Sequence, residues 1–255
     1  MSVPPHSGHD FRLLHSRWTE VSLASGLRCR TICEVGGHPV LIVENDAAAA
    51  GETGGLYVSA GVHGDECAPV WALLEWVASA PAVLKQIPIT LFPCLNPVGL
   101  IENTRRDGTG VDLNRSFADT TVPVIAAWQE AVAGRQFDVS VNLHEDYDAT
   151  GIYLYELTRR DSRGDALLRA CETHLLRDSA IVIDGSDFEN GLLVRTSGIE
   201  KVVEEQLGGG YPEAILLFLK YAEVSYTFET PSESDLLRRI AAHRAFLEAV
   251  TESTV

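Results

Sequence analysis

The chain changes its apolar period in blocks. Residues 10–24 read as a short helix. The apolar runs LRCRTICEV and HPVLIVEN follow, joined by Gly36-Gly37, a two-residue turn of the hairpin type that predicts an antiparallel edge. From Leu56 the pattern alternates between strand and helix. GLYVSAG reads as a buried strand, CAPVWALLEWVAS has helical spacing, and ITLFPCL reads as a second strand. VIAAWQEAVAG is helical, FDVSVNLH is a strand ending in polar residues, GIYLYEL is another strand and SRGDALLRACETHLLRD another helix. After a Gly-rich segment at 208–210 come a helix at 212–220, a last buried strand in AEVSYTFET and a closing amphipathic helix over 232–250. The order predicts an α/β fold, with a mixed, mostly parallel central sheet flanked by helices on both faces.

Residues 94–116 interrupt the alternation as a long loop rich in Asn, Arg, Gly and Asp, and such connections within compact domains are usually functional. No repeat of 20–50 residues is present, and the one low-complexity patch, Ala47–Ala50, falls in a predicted loop. With 255 residues and no Pro/Gly/Ser-rich linker, the expectation is a single domain over 1–255, its N-terminal helix and hairpin (about 10–45) joined to the sheet. An apolar fraction of 45% supplies its core. No long apolar run or basic-apolar leader points to a membrane or to export. Five scattered cysteines without CxxC spacing suit reduced thiols, so a cytoplasmic location is expected. A formal charge of −16, from 36 acidic and 20 basic residues, repels polyanions and argues against nucleic acid as a partner.

In VSAGVHGDECAPV, His63 and Glu66 stand three apart just past a strand end, where Gly61 and Gly64 let the backbone turn into the next helix. The spacing aims an imidazole and a carboxylate at one point. It equally describes a surface histidine near a helix N-terminus whose Glu favours the dipole. FDVSVNLHEDYD runs apolar into His144, so two strands present a histidine at their carboxyl ends, where open α/β sheets place ligands. A His2Glu set leaves a fourth zinc position for water. HExxH does not describe His144 and Glu145, because its last position is Asp148 and the segment ends a strand. Glu145, Asp146 and Asp148 then orient ligands or are solvated loop carboxylates.

EVSYTFETP ends an apolar strand in Glu229. A carboxylate there is costly without a partner or a task. It serves as a base beside metal-bound water or caps a helix starting near Ser232. CLNPVGLIENTRRDGTGVDLNRSF gathers Arg105, Arg106, Asn114 and Arg115 in an acidic protein. The cluster is either an anion site fit for a carboxylate or a solvated loop that neutralises nearby acids.

In that order HGDE, NPVG, RRDGTGVDLNRSF, LHE and FETP resemble the blocks of the zinc carboxypeptidase superfamily, over roughly residues 55–235. The resemblance implies its phosphorylase/hydrolase-like fold, one Zn2+ per chain on His63, Glu66 and His144, and Glu229 as general base. It implies Arg105 on the scissile carbonyl, with Arg106 able to exchange roles under a one-residue shift. Asn114 and Arg115 match the pair that clamps a terminal carboxylate, and Tyr211 falls near the position of the superfamily's mobile substrate-binding tyrosine. Two departures stand out. Asp107 replaces the Asn of the RxNxxG pattern, and the GGGYPE context of Tyr211 does not match.

The implied function is zinc-dependent hydrolysis of an amide bond in a small peptide with a free carboxylate. A metallocarboxypeptidase does this, as do compact bacterial-type members resembling murein peptide amidase. The alternative substrate is an N-acyl amino acid, as in the related succinylglutamate desuccinylase/aspartoacylase branch. There the chain usually continues into a β-rich domain, whereas one helix follows Glu229 here. A third reading is an inactive binding protein, although such relatives usually lose a ligand or the base. Side-chain preference rests in residues 185–220, which match the superfamily poorly, and Cys67 reads as a small buried residue in a first helical turn or as a redox sensor.

Overall fold

The computed structural model describes residues 8–79 and 81–252. Helix α1 (Phe11–Ser25) is capped by Asp10, whose side chain accepts the Leu13 N–H, and closes on Gly26; it buries Phe11, Leu14 and Trp18. Strands β1 (Arg28–Val35) and β2 (His38–Glu44) form the expected antiparallel hairpin. Its turn needs two left-handed residues, and Gly36 and Gly37 supply them at φ 58° and 80°. The Ala-rich patch forms a single turn, α2 (Asp46–Ala49), capped by Asn45.

The remaining elements are β3 (Leu56–Ser59), α3 (Cys67–Ala78), β4 (Ile89–Phe92), α4 (Pro97–Glu102), α5 (Pro123–Val132), β5 (Phe137–Asp146), β6 (Tyr153–Thr158), α6 (Gly164–Cys171), β7 (Val182–Ile183), β8 (Ser186–Asp187), β9 (Leu192–Arg195), α7 (Ile199–Gln206), α8 (Glu213–Lys220), β10 (Ala222–Pro231) and α9 (Leu236–Glu252). Eight strands form one mixed sheet in the order β1-β2-β4-β3-β5-β10-β6-β9. Its centre, β4-β3-β5-β10, is parallel, while β1–β2, β2–β4 and β10–β6 are antiparallel. Successive strand residues face opposite layers. Leu56 and Val58 pack with Trp18, Trp71 and Phe246 beneath α1, α3 and α9, whereas Tyr57 packs with Phe92, Trp128 and Leu217 beneath α5 and α8.

Three expectations change. The long loop at 94–116 contains α4, which Asn96 nucleates by accepting the Gly99 N–H while Pro97 sits at the first helical turn. The helix expected over SRGDALLRACETHLLRD stops at Cys171, after which a turn lets Arg177 bridge to Ile152. The segment between 180 and 210 holds the β7–β8 hairpin, edge strand β9 and helix α7, which no long periodic pattern announced. Among the described residues no helix is long and apolar enough to cross a membrane.

Candidate metal centre

Between β3 and α3 the chain makes two close approaches. Gly61 has φ 62°, and a Cβ there would lie 2.7 Å from Val70 Cγ1. Gly64 lies so near α4 that a Cβ would sit 1.9 Å from the carbonyl carbon of Gly99. The two glycines let the segment deliver His63, and Glu66 at the N-cap of α3, to the carboxyl end of the sheet. Strand β5 brings His144 to the same point, and parallel pairing sets Glu229 of β10 in register with it. One donor atom each from His63, Glu66 and His144 falls within 4.8 Å of the others, and all three residues are buried. His63 Nδ1 lies 2.5 Å from Glu66 Oε1 and His144 Nδ1 lies 2.8 Å from Glu66 Oε2. Two imidazoles and a carboxylate turned on one point form a donor set that fits a divalent cation such as zinc.

The charges are strongly coupled. Burial opposes ionisation of Glu66, yet the two imidazoles hold it well below the usual carboxylate range. Burial likewise disfavours charge on His63, but Glu66 and Asp112 raise it to about 9. His144 is raised too, against burial, by Glu66. Glu229 moves the other way: burial, with the Glu66 and Asp146 charges nearby, pushes it up to about 8 against the opposing pull of His144. Its Oε2 is buried without a hydrogen-bond partner, and the residue lines the cavity. It does not cap α9, because Asp235 accepts the Leu237 and Arg238 N–H groups.

The loop before α5 sorts its arginines. Arg105 reaches the donor cluster: its Nη1 is 3.3 Å from His63 Nδ1, and its Nε donates to Asp112 at 3.1 Å. Arg106 turns away and donates to the Gly110 carbonyl at 2.9 Å. Asp107, the departure from the superfamily pattern, holds the loop by accepting from the Thr109 N–H, the Thr109 hydroxyl and the Val111 N–H. Asn114 and Arg115 line the cavity with Arg105, His63, Glu66 and Glu229. Tyr211 is not among the lining residues. It packs, partly buried, against the apolar cluster beneath α5 and α8, and its carbonyl accepts the Phe117 N–H.

Other site residues escaped the sequence reading. Asp112 Oδ1 lies 3.3 Å from His63 Nε2, on the far side of the imidazole from Glu66, where its charge favours a protonated ring; its place inside the DLNR block was the available signal. Glu213, fully buried at the start of α8, accepts from the Tyr57 hydroxyl and from Ser59 Oγ. Its own N–H donates to Asn114 Oδ1 at 3.0 Å, which leaves the Asn114 amide nitrogen as that side chain's remaining donor. Glu145 accepts the Ala68 N–H at 3.0 Å and pairs with Arg239, so it ties β5 to α3 and α9. Asp146 accepts the Tyr153 hydroxyl, while Asp148 is exposed. All five cysteines are unpaired, and burial pushes the Cys67 thiol up to about 11.

Behind this layer His243 of α9 is fully buried, with Nε2 3.1 Å from Thr230 Oγ1 and Nδ1 unpartnered. Burial, reinforced by Arg239, lowers it to about 3. Between about pH 6.5 and pH 3 the unfolded chain binds a proton at this position that the folded chain refuses. Stability is therefore complete above that window and falls with pH through it, by up to about 1.4 kcal/mol per unit. Urea unfolding at pH 7, 6 and 5 should show a shallower acid loss for His243→Gln than for wild type; equal slopes would contradict this.

Residues 52–181 match the model of the succinylglutamate desuccinylase/aspartoacylase catalytic domain. No curated protein sequence matches the chain. Among solved structures, a candidate metallopeptidase from Shewanella amazonensis is 23% identical, with a TM-score of 0.80 over 95% of this chain and 92% of its own. A metallo-carboxypeptidase from Burkholderia cenocepacia is 16% identical, with a TM-score of 0.66 over 94% of this chain and 68% of its own. The metallo-carboxypeptidase of Pseudomonas aeruginosa, in complex with (2-guanidinoethylmercapto)succinic acid, is 14% identical, with a TM-score of 0.60 over 94% and 68%. At these identities the structures share the fold.

Proposed function

The chain belongs to the succinylglutamate desuccinylase/aspartoacylase catalytic-domain family, and we propose that it is a zinc-dependent hydrolase of an amide bond in a small peptide with a free carboxylate. The observation that carries this reading is the convergence of His63, Glu66 and His144 beside an unpartnered Glu229 oxygen. Zinc held by the three ligands would supply Lewis-acid polarisation of the amide carbonyl and an acidified water. Glu229 takes the proton of the attacking water and returns it to the leaving amine. Arg105, held beside the donor cluster by Asp112, donates to the developing oxyanion. The Asn114 amide and the Arg115 guanidinium hold the substrate carboxylate, so the scissile bond lies next to a free acid.

The clamp is tested apart from the chemistry. Arg115→Ala should raise KM for carboxylate substrates by about 10- to 100-fold and largely remove the wild-type preference for a free carboxylate over its carboxamide, since charge-assisted hydrogen bonds contribute about 1.5–3 kcal/mol. An unaltered preference would reject the assignment. The family match favours a second reading of the same geometry, in which the acyl half comes from an N-acyl amino acid rather than a peptide. Kinetics on matched dipeptides and N-acyl amino acids separates the two.

A further inference from the structure

The cavity, of about 840 Å³, is larger than the metal centre and carboxylate clamp require, and extends away from them over β6 and β9. Four arginines line it: Arg105, Arg115, Arg195 and Arg239. Two are neutralised, Arg105 by Asp112 and Arg239 by Glu145. Arg115 is assigned to the substrate carboxylate. Arg195 has no carboxylate ion-paired with it among the described residues; its guanidinium donates to Ser186 Oγ at 3.1 Å. Asp184 lines the same chamber but engages the Tyr155 hydroxyl at 3.0 Å. In a chain of 36 acidic and 20 basic residues, a cavity arginine without an acid partner is a site kept for an anion.

Strand register places this arginine. Arg195 pairs with Leu157, and Leu157 pairs with Ser225, four residues before Glu229 on β10. At about 3.3 Å per residue, its Cα therefore lies about 13 Å along the strands from the reaction centre. The intervening walls combine the apolar side chains of Leu157, Leu193, Ile199, Leu207 and Ile215 with Tyr155 and Thr227, which pair across β6 and β10 between Arg195 and Glu229. A passage flanked by these leucine and isoleucine side chains, and ending in a guanidinium without an acid partner, complements an aliphatic arm with an acid at its tip.

We propose that Arg195 is a specificity-determining residue that receives a second acid group of the substrate, carried on an aliphatic arm of about three or four carbons extending from the carboxylate-bearing half. This rests on the Asn114–Arg115 clamp of the proposed function, because the clamp fixes which half enters the chamber.

The test uses zinc-loaded full-length protein and three substrates that share one acyl half and end in 2-aminoadipate, its side-chain amide, or lysine. Wild type should favour the acid over its neutral amide by about 10- to 100-fold in kcat/KM, and lysine should be poorest. Arg195→Gln should bring the acid-to-amide ratio close to one, Arg195→Lys should keep part of it, and Arg195→Glu should move preference toward lysine. A wild-type ratio near one, or a ratio that survives Arg195→Gln in protein with wild-type melting behaviour, overturns the proposal. Calorimetric binding of free 2-aminoadipate and norleucine supplies a readout independent of turnover. If no amide is cleaved, the proposed hydrolysis fails, yet Arg195-dependent preference for 2-aminoadipate still supports the second anion site. Equal binding, or none, rejects it.

Discussion

Replacing Glu229 by Gln is expected to lower kcat by about 10²- to 10⁴-fold while metal content stays at the wild-type level. The substitution keeps size and hydrogen-bonding shape and removes only the ability to take a proton. The position is prepared for that task. Strand pairing fixes Glu229 beside His144, one oxygen is unpartnered, and burial holds the carboxyl at about 8 in the isolated chain. A cation on the neighbouring donors would favour the ionised form and bring the group back toward a working base. Because Glu229 is outside the His63–Glu66–His144 cluster, metal binding and turnover should separate in this variant. Turnover within a few-fold of wild type would remove Glu229 from the mechanism; loss of metal would place it among the ligands.

His144→Ala should have the larger effect, removing bound metal and amide hydrolysis together. His144 contributes one of three donor atoms and is buried on a central strand, so a water cannot readily replace it at the same point. Thermal stability reports this without any substrate. A ligand at 100 times its dissociation constant adds about 2.7 kcal/mol, which for a domain of this size raises Tm by roughly 5–10 °C. Zinc should produce that rise in wild type and little or none in His144→Ala. The same rise in both would show that His144 is not a ligand.

The central strands were legible because buried parallel strands leave continuous apolar runs. LYVS, ITLF and VSVNL read directly, and the polar residues that end them, His144 and Glu229, pointed to the carboxyl edge. The hairpin was legible through its two glycines. The HGDE and LHE blocks lie 78 residues apart, yet their convergence was readable once each was placed at a strand end, because parallel pairing brings such ends together.

The chamber wall was not legible. β7 and β8 are two residues each and β9 is four, too short for a period to emerge. Asp112, Glu213 and Arg239 take meaning only from partners that topology supplies: His63 in the donor cluster, Tyr57 on a central strand, and Glu145 next to His144. Arg105 and Arg106 are adjacent in sequence and differ only in where the Asp107-anchored turn points them. Tyr211 fell in the expected region, but it packs at the edge of the apolar cluster beneath α5 and α8 and its backbone pairs with Phe117, and the sequence carries no sign of that.

The most direct measurement is a metal titration of chelator-stripped protein, with hydrolysis of an amide substrate bearing a free carboxylate followed at each addition of zinc. Activity should be absent in the stripped protein and rise linearly to a plateau at one equivalent per chain. Full activity in protein shown to be free of metal, or one tightly bound zinc without hydrolysis of any peptide or N-acyl amino acid, would contradict the account.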